Sequence, residues 1–525
     1  MKVLVINCIV ALLIVLIHVS CFLGTHAFQS TTRTFWRPTL SVASRRSIKV
    51  VEAEIVQFQP NNNITCTTDV YTGHIDGSLY RESKEESQST IAFTKEDENK
   101  KYIMLALLWI TAFLASLDRV AMSVAFLPMS AEFLYSSTIK GTIASFFSVG
   151  YGLLILPAGL FVGNVSPKWA MMLGIAVWSI ATLATPLVAG TALSTLMIAR
   201  ALVGAGESIV LPSTQRFLTV WTLPEEKSRA LSFVFSGFAC GKIMAYIISP
   251  YILEAFGWRS LFYVYGLVGT ALLIPWWLLG RDEPPSQSTA LTTTEKEEVS
   301  ASPFEQAMTI CRDAPWKGML QSKGVWAMTL AHCSRNWGLY NWLSWMPTFY
   351  SQQYSIGVKD SAWLSVLPGL AGIVGGIAAG IAADWTVQNM QDPSNDDEKT
   401  KIRNIFQSLG LLGPAAVMAS MAWHIPEEAW LAQAGLAGVF GLQSFNAGGF
   451  EAASQEKAGP RWAGFLYSMT TLPGVLVGTF GVWVTGVLLD ATNQDWGMIF
   501  AINALVNVLG AVAFVSLYES RKEFE

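Results

Sequence analysis

The chain has 525 residues, of which 52% are hydrophobic and 14% charged, with a mean hydropathy of +0.40. So few charges in a chain this long exclude a soluble globule and point to an all-α membrane protein, at about 20 apolar residues per crossing. The 34 basic and 38 acidic residues leave a formal net charge of -4, which supports neither a nucleic-acid partner nor an acidic surface partner.

In chain order, residues 1–27 come first: Lys2 precedes the apolar run from Cys8 to Ile17, which has the length of a signal-peptide core rather than of a span. From Gln29 to Val51 there is no acid, while Arg33, Arg37, Arg45, Arg46 and Lys49 alternate with Ser and Thr, so residues 28–51 have a transit-peptide composition. Joined at Thr25-His26-Ala27-Phe28, the two segments resemble the bipartite presequence of algae with complex plastids, in which Phe follows an Ala cleavage site. That resemblance implies a plastid envelope or thylakoid membrane; the alternative is an ordinary signal or anchor helix with a basic juxtamembrane tail. Residues 52–101 are polar and mixed in charge and are expected to be a disordered tail, in which Asn63-Ile64-Thr65 fits a glycosylation acceptor.

Six apolar segments follow, near 103–127, 139–162, 169–189, 193–213, 231–255 and 260–279, and six more near 325–349, 361–383, 405–423, 430–449, 462–489 and 496–518. They define an amino-terminal six-helix bundle over 102–280 and a second over 325–519, with a short tail at 520–525. Between them, residues 281–324 carry Glu283-Pro284-Pro285, a Ser/Thr run and Glu295-Lys296-Glu297-Glu298, the composition of a connector. The basic residues of the loops gather on the side of the amino terminus, from Lys168, Arg216 and Lys227 through Arg281 and Lys323 to Arg521, while Lys140, Arg259 and Lys359 fall opposite. This asymmetry predicts both termini on the same inner side, cytosolic or stromal.

The polar residues inside these segments carry the functional signal, because a charge in hydrocarbon costs a few kcal/mol at least and is retained for a substrate or ion pathway. Asp118 and Arg119 are adjacent in the first segment, with Arg119 about 24 Å of helix beyond Ile103. A pair that snorkels from a helix end is the alternative, against which the continuing apolar run argues. Arg200 and Glu207, two turns apart in the fourth segment, share a face smoothed by Gly204 and Gly206. Glu207 suits proton exchange, since loss of solvent favours the neutral acid and a nearby Arg the carboxylate; a structural ion pair between helices is the alternative. In the seventh segment, Arg335 has no acid on its own helix and its planar fork suits a carboxylate or phosphate, with Asn336, Trp337 and Tyr340 close by to shape the wall. His332 lies one turn from Asn336 and is either hydrogen-bonded packing or a proton relay. Lys242 sits mid-segment after Gly241, facing either a cavity or a neighbouring helix. No nucleophile with a base, metal cluster or phosphate loop is present, and the six cysteines lack metal or disulfide spacing, so neither an enzyme nor a cofactor is expected.

Leu117-Asp118-Arg119-Val120 with Met122-Ser123-Val124-Ala125, Leu127-Pro128-Met129-Ser130-Ala131-Glu132, Arg200 with Gly204-Ala205-Gly206-Glu207, Phe256-Gly257-Trp258, Asn336-Trp337 and Trp345-Met346-Pro347 occur in one order. Together they resemble the anion:cation symporter family of the major facilitator superfamily, which holds sodium-phosphate cotransporters, vesicular glutamate transporters, sialin and plant plastid anion transporters. The plastid branch is the best match, over about Lys101 to Tyr518. Gly380-Ile381-Ala382-Ala383-Asp384 likewise resembles the superfamily's Gly-x-x-x-Asp loop motif, whose first-half counterpart, Gly159 to Gly163, lacks the acid.

The resemblance implies twelve transmembrane helices in two bundles and a substrate held between them at mid-membrane. It makes Arg119 and Arg335 substrate arginines, Glu207 the coupling acid with Arg200 as its upstream partner, Asp118 a titrating acid and Tyr151 a cavity residue. The expectation is thus a monomeric, proton- or sodium-coupled transporter of a small anion. Inorganic phosphate or an organic anion is the substrate; an organic-anion carrier of a secretory or vacuolar membrane and a non-transporting sensor or scaffold are the alternatives. The chain departs from the family at Ser454-Gln455-Glu456-Lys457-Ala458-Gly459-Pro460-Arg461, where relatives usually carry Asn-His-x-Asp-Ile before the Pro-Arg, and in having Lys242 and Arg216.

Overall fold

The computed structural model describes residues 95–164, 166–284, 312, 315–390, 395–458, 462–521 and 523–524. The leader, the transit-like segment, most of the tail and connector, Cys8, Cys21, Cys66, Cys311, Pro460 and Arg461 lie outside the described residues.

The first half runs α1 (Lys95–Phe133), α2 (Ser137–Asn164), α3 (Pro167–Val188), α4 (Leu193–Glu207) with α5 (Val210–Trp221), α6 (Pro224–Phe256), and α7 (Trp258–Ala271) with α8 (Leu273–Leu279). The second runs from the short α9 (Trp316–Gln321) through α10 (Lys323–Tyr354), α11 (Val358–Leu364) with α12 (Val366–Gln388), and α13 (Asp396–Trp423). It ends with α14 (Ala429–Gln443), a 3-10 turn (Ser444–Ala447), α15 (Phe450–Lys457), α16 (Ala463–Ala491) and α17 (Trp496–Leu517). Taken as spans these make six and six, and ten of them are long and apolar enough to cross a membrane. The other two are α10, which carries His332, Arg335 and Asn336, and α14, which has 15 residues before its turn.

Several boundaries differ from the sequence expectation. Residues 95–101, assigned to the disordered tail, are the first turns of α1, because Lys101 pairs with Glu226 at 2.9 Å and Asp97 is fully buried. The ninth span starts at Asp396, where Asn395 accepts hydrogen bonds from the Asp397 and Glu398 amides at 3.0 and 3.2 Å. Three acids in that first turn also oppose the positive end of the helix dipole. The fourth span, expected over 193–213, breaks just after Glu207, and the tenth, expected over 430–449, leaves the α-helix after Gln443 for the 3-10 turn and resumes beyond its expected end as α15, to Lys457. Part of the connector is helical as α9, and the carboxyl-terminal tail is docked, with Ser520 and Phe524 buried.

Without a hydrophobic drive between helices in lipid, close backbone approach supplies much of the packing. A methyl added at Gly204 would stand 1.9 Å from the Phe147 carbonyl oxygen, and one at Gly241 would stand 2.2 Å from that of Phe113. Glycine at these two positions lets α4 lie against α2 and α6 against α1. The side chains that follow, Glu207 and Lys242, are thereby held at the centre of the first half.

The halves are fastened at the side opposite the start of α1, here the far side. Asp490 at the end of α16 accepts hydrogen bonds from the amides of Ser137 and Thr138, the first residues of α2, at 2.9 and 2.7 Å. Nearby, Ser145 donates to the Thr479 carbonyl at 3.1 Å and Lys359 pairs with Glu254 at 3.4 Å.

Candidate functional site

Two adjacent cavities between the halves share the lining residues Arg119, Tyr340 and Leu343. The far one, about 50 Å³, is also lined by Ser123, Phe147, Ser148, Arg200 and Ser344. The near one, about 220 Å³, is lined by Ser116, Tyr151, Glu207, Phe235, Phe238 and Lys242 among others.

Arg119 projects from α1 into this space. Its Nε and Nη2 donate to one Glu207 oxygen at 3.2 and 2.7 Å, and its guanidinium lies over the rings of Phe147 and Tyr151, with centroids at 4.6 and 5.4 Å. The pair is lopsided: the Arg119 side chain is 28% exposed and that of Glu207 1%, so the cation faces the cavity and the acid stands behind it. The resemblance makes Arg200, two turns away on the same helix, the upstream partner of Glu207. The Glu207 bond instead goes to Arg119, because packing of α4 turns the acid toward α1. Arg200 is buried over Phe147, with Nε and Nη1 lacking a protein hydrogen-bond partner among the described residues. Asp118, also buried, accepts a hydrogen bond from Thr182 of α3 at 2.5 Å.

Arg335, expected to lack a partner inside the membrane, pairs with Glu451 at 3.3 Å. The acid comes from α15, beyond the helix break that ends α14, and not from its own helix. Glu451 followed what read as the end of an apolar segment; an acid just past Gly448-Gly449 was the available signal. Arg119–Glu207 and Arg335–Glu451 occupy matching places, each joining the first span of a half to the broken fourth span of that half.

Of the other expected residues, Tyr151, Tyr340 and Lys242 line the near cavity. No acid pairs with Lys242 among the described residues, and Arg119 and Arg335 both lie within electrostatic reach of it. Asn336 and His332 are turned elsewhere: Asn336 is 4% exposed against Gly474 of α16, and His332 bonds Thr470 at 3.3 Å between Phe450 and Tyr467. Cys240 and Cys333 are free thiols, and no group of side chains suited to a metal occurs among the described residues. Ser116, Ser123, Ser148 and Ser344 also line the cavities; small hydroxyls in apolar helices carry no distinctive pattern in the sequence, and Phe147 reads there as one more apolar residue.

Among the described residues, twelve spans in two bundles around central cavities with fixed charges define a polytopic protein of the facilitator architecture. Residues 108–481 match the sequence model of the Major Facilitator Superfamily. The chain is 32% identical over 428 residues to a sodium-dependent phosphate transport protein 1, chloroplastic, of Arabidopsis thaliana, covering 81% of each. It is 32% identical over 415 residues to an ascorbate transporter, chloroplastic, of the same plant, covering 79% of this chain and 74% of that one. A bacterial homologue of the human lysosomal transporter Spinster, solved in an inward-facing and unoccupied conformation, superposes with a TM-score of 0.62 at 16% identity. That match covers 81% of this chain and 98% of the other. The chain belongs to the major facilitator superfamily and, within it, to the anion:cation symporter family.

Proposed function

We propose that this protein is a secondary active transporter that moves a small anion across a membrane by alternating access. The observation that carries the reading is the pair of matched arginines, Arg119 and Arg335, each held by an acid from the broken span of its own half. An anion entering between the halves would compete with Glu207 for Arg119 and with Glu451 for Arg335, drawing charge from both bundles onto one substrate. Protonation of Glu207, or a sodium ion held near it, would release Arg119 and so couple the cation to the anion.

Inorganic phosphate is the favoured substrate class and an organic anion such as ascorbate the second, in line with the names of the two plant relatives. The same relatives are chloroplastic, and with the transit-like leader this supports a plastid membrane, with the near side facing stroma or cytosol. The charges kept inside the membrane favour transport over a sensor or scaffold role, and nothing in the cavity suggests catalysis.

Reconstitution tests the reading. Uptake of labelled phosphate and ascorbate into proteoliposomes is expected to rise under a proton or sodium gradient. Arg119→Lys should reduce it roughly tenfold or more, because an ammonium cannot reproduce the guanidinium fork. Normal uptake by a well-assembled Arg119→Lys protein would remove Arg119 from the site, and no uptake of either anion by the unaltered protein would refute the transport reading.

A further inference from the structure

We infer that Lys242 sets the valence of the transported anion, making the near cavity a site for a divalent tetrahedral oxyanion such as hydrogen phosphate in preference to a monovalent organic anion. This rests on the reading of the cavity as an anion-transport site.

The charges around the cavity divide unequally. Of the two cations lining the near cavity, Arg119 is held by Glu207, whereas Lys242 has no acid paired to it among the described residues; Arg335, which is not among the lining residues, is held by Glu451. Its place is fixed by the neighbouring Gly241, whose close contact with the Phe113 carbonyl locks α6 onto α1. Phe235 and Phe238 from its own helix line the wall beside it. An ammonium at this depth costs several kcal/mol unless an anion or water compensates it. In a transport cavity the substrate is the group that does so.

The charge arithmetic then depends on Glu207. With Glu207 ionised, it cancels Arg119 and Lys242 leaves one positive charge for the anion. With Glu207 protonated, Arg119 is released and two positive charges face the near cavity, the number that a dianion neutralises, while Arg335, outside this lining, stays balanced by Glu451 until the halves close on the anion. A monocarboxylate would leave one of them uncompensated. Geometry points the same way, since a carboxylate presents its two oxygens in one plane to a single fork. A tetrahedral oxyanion directs oxygens outward in several directions, toward Arg119 on α1, Lys242 on α6 and the hydroxyls of Ser116 and Tyr340.

Competition measures the preference directly. Labelled phosphate uptake into proteoliposomes, at one pH on both sides, would be challenged with sulfate, a dianion, and with ascorbate, a monoanion. The unaltered protein should be inhibited more strongly by sulfate. Lys242→Ser should shift the sulfate-to-ascorbate inhibition ratio toward ascorbate by roughly tenfold, the weight of a charge-assisted hydrogen bond, and Lys242→Arg should keep the original order. Should Lys242→Ser fail to assemble, Lys242→Gln keeps the length, removes the charge and carries the same comparison. An unchanged ratio in a neutral variant overturns the inference while leaving anion transport standing. So does an equal loss for every anion in the Ser and Arg variants, which would mark Lys242 as structural. No phosphate uptake by the unaltered protein overturns the inference and the phosphate assignment together, and ascorbate uptake in the same vesicles then tells whether anion transport survives.

Discussion

Arg119 and Glu207, 88 residues apart, meet through a single carboxylate oxygen: two guanidinium nitrogens converge on it, while the second Glu207 oxygen is buried without a protein hydrogen-bond partner among the described residues. The acid therefore holds the arginine from behind and leaves its remaining face to the cavity. That one-sided grip is what would allow a substrate to take Arg119 without the helices first moving apart.

Glu207→Gln tests the grip. The amide keeps a carbonyl oxygen for Arg119 but cannot exchange a proton, so gradient-driven accumulation should fall roughly tenfold or more, while exchange of one anion for another continues. Parallel measurements of net uptake and counterflow in proteoliposomes read the two outcomes. Accumulation at the level of the unaltered protein would make Glu207 a structural residue.

Arg335 and Glu451 are both partly open to solvent, with side-chain exposures of 28% and 29%, so their bond is worth no more than about 1 kcal/mol. If Glu451 competes with the substrate for Arg335, Glu451→Gln should tighten apparent anion affinity by up to roughly fivefold. Arg335→Lys should weaken it. Concentration dependence of initial uptake rates decides the matter, and weaker affinity in Glu451→Gln would mean that the acid orients Arg335 instead of competing for it.

How far the sequence could be read differs along the chain for physical reasons. The spans were legible because lipid demands long apolar runs, and Asp118, Arg119, Glu207 and Lys242 stood out because charges in such runs are costly. Which acid meets which base was not legible. Periodicity places Arg200 and Glu207 on one helix face, but Gly204 seats α4 against α2 at Phe147 and Gly206 seats it against α3 at Trp178, and in that setting Glu207 meets Arg119 of α1. The helix break before Phe450 is marked in the sequence only by Gly448-Gly449, too little to show that Glu451 meets Arg335. His332 and Asn336 share a face of α10 near Arg335, yet that face is filled by α16 at Gly474. Residues 95–101 looked disordered because a polar stretch gives no sign that Glu226, far along the chain, will anchor Lys101.

Asp490 caps the start of α2 from the opposite half, accepting the otherwise unbonded amides of Ser137 and Thr138. Replacing a capping acceptor by Ala costs about 1–2 kcal/mol. Asp490→Ala should therefore move the equilibrium toward the far-open state by roughly fivefold to thirtyfold. A cysteine placed at Ser148, in the far cavity, would report this through faster labelling by a membrane-impermeant maleimide added on the far side. Unchanged labelling would show that the far closure does not depend on this cap.

Lys457 supplies the last prediction. Its side chain is fully buried at the end of α15, where Nζ pairs with Glu523 at 2.6 Å and donates to the Glu519 carbonyl at 2.9 Å. The Glu523 amide returns a hydrogen bond to the Lys457 carbonyl at 3.0 Å, and Phe524 packs into the core formed by Met319, Ala458 and Tyr518. The carboxyl-terminal residues thus clip α15 to α9 on the near side. A buried pair is hurt more by losing one partner than by losing both, because the survivor keeps a charge it cannot solvate. Glu523→Ala strands the buried ammonium, whereas Lys457→Met removes the charge and keeps most of the volume, leaving the one-third exposed Glu523 to water. Glu523→Ala should accordingly lower the melting temperature of the detergent-solubilised protein more than Lys457→Met. The double variant should recover part of the loss, a non-additive result that thermal melts of the four proteins would reveal. Equal, additive losses would mean that the tail is held by Phe524 and its backbone bonds and that the ion pair contributes little.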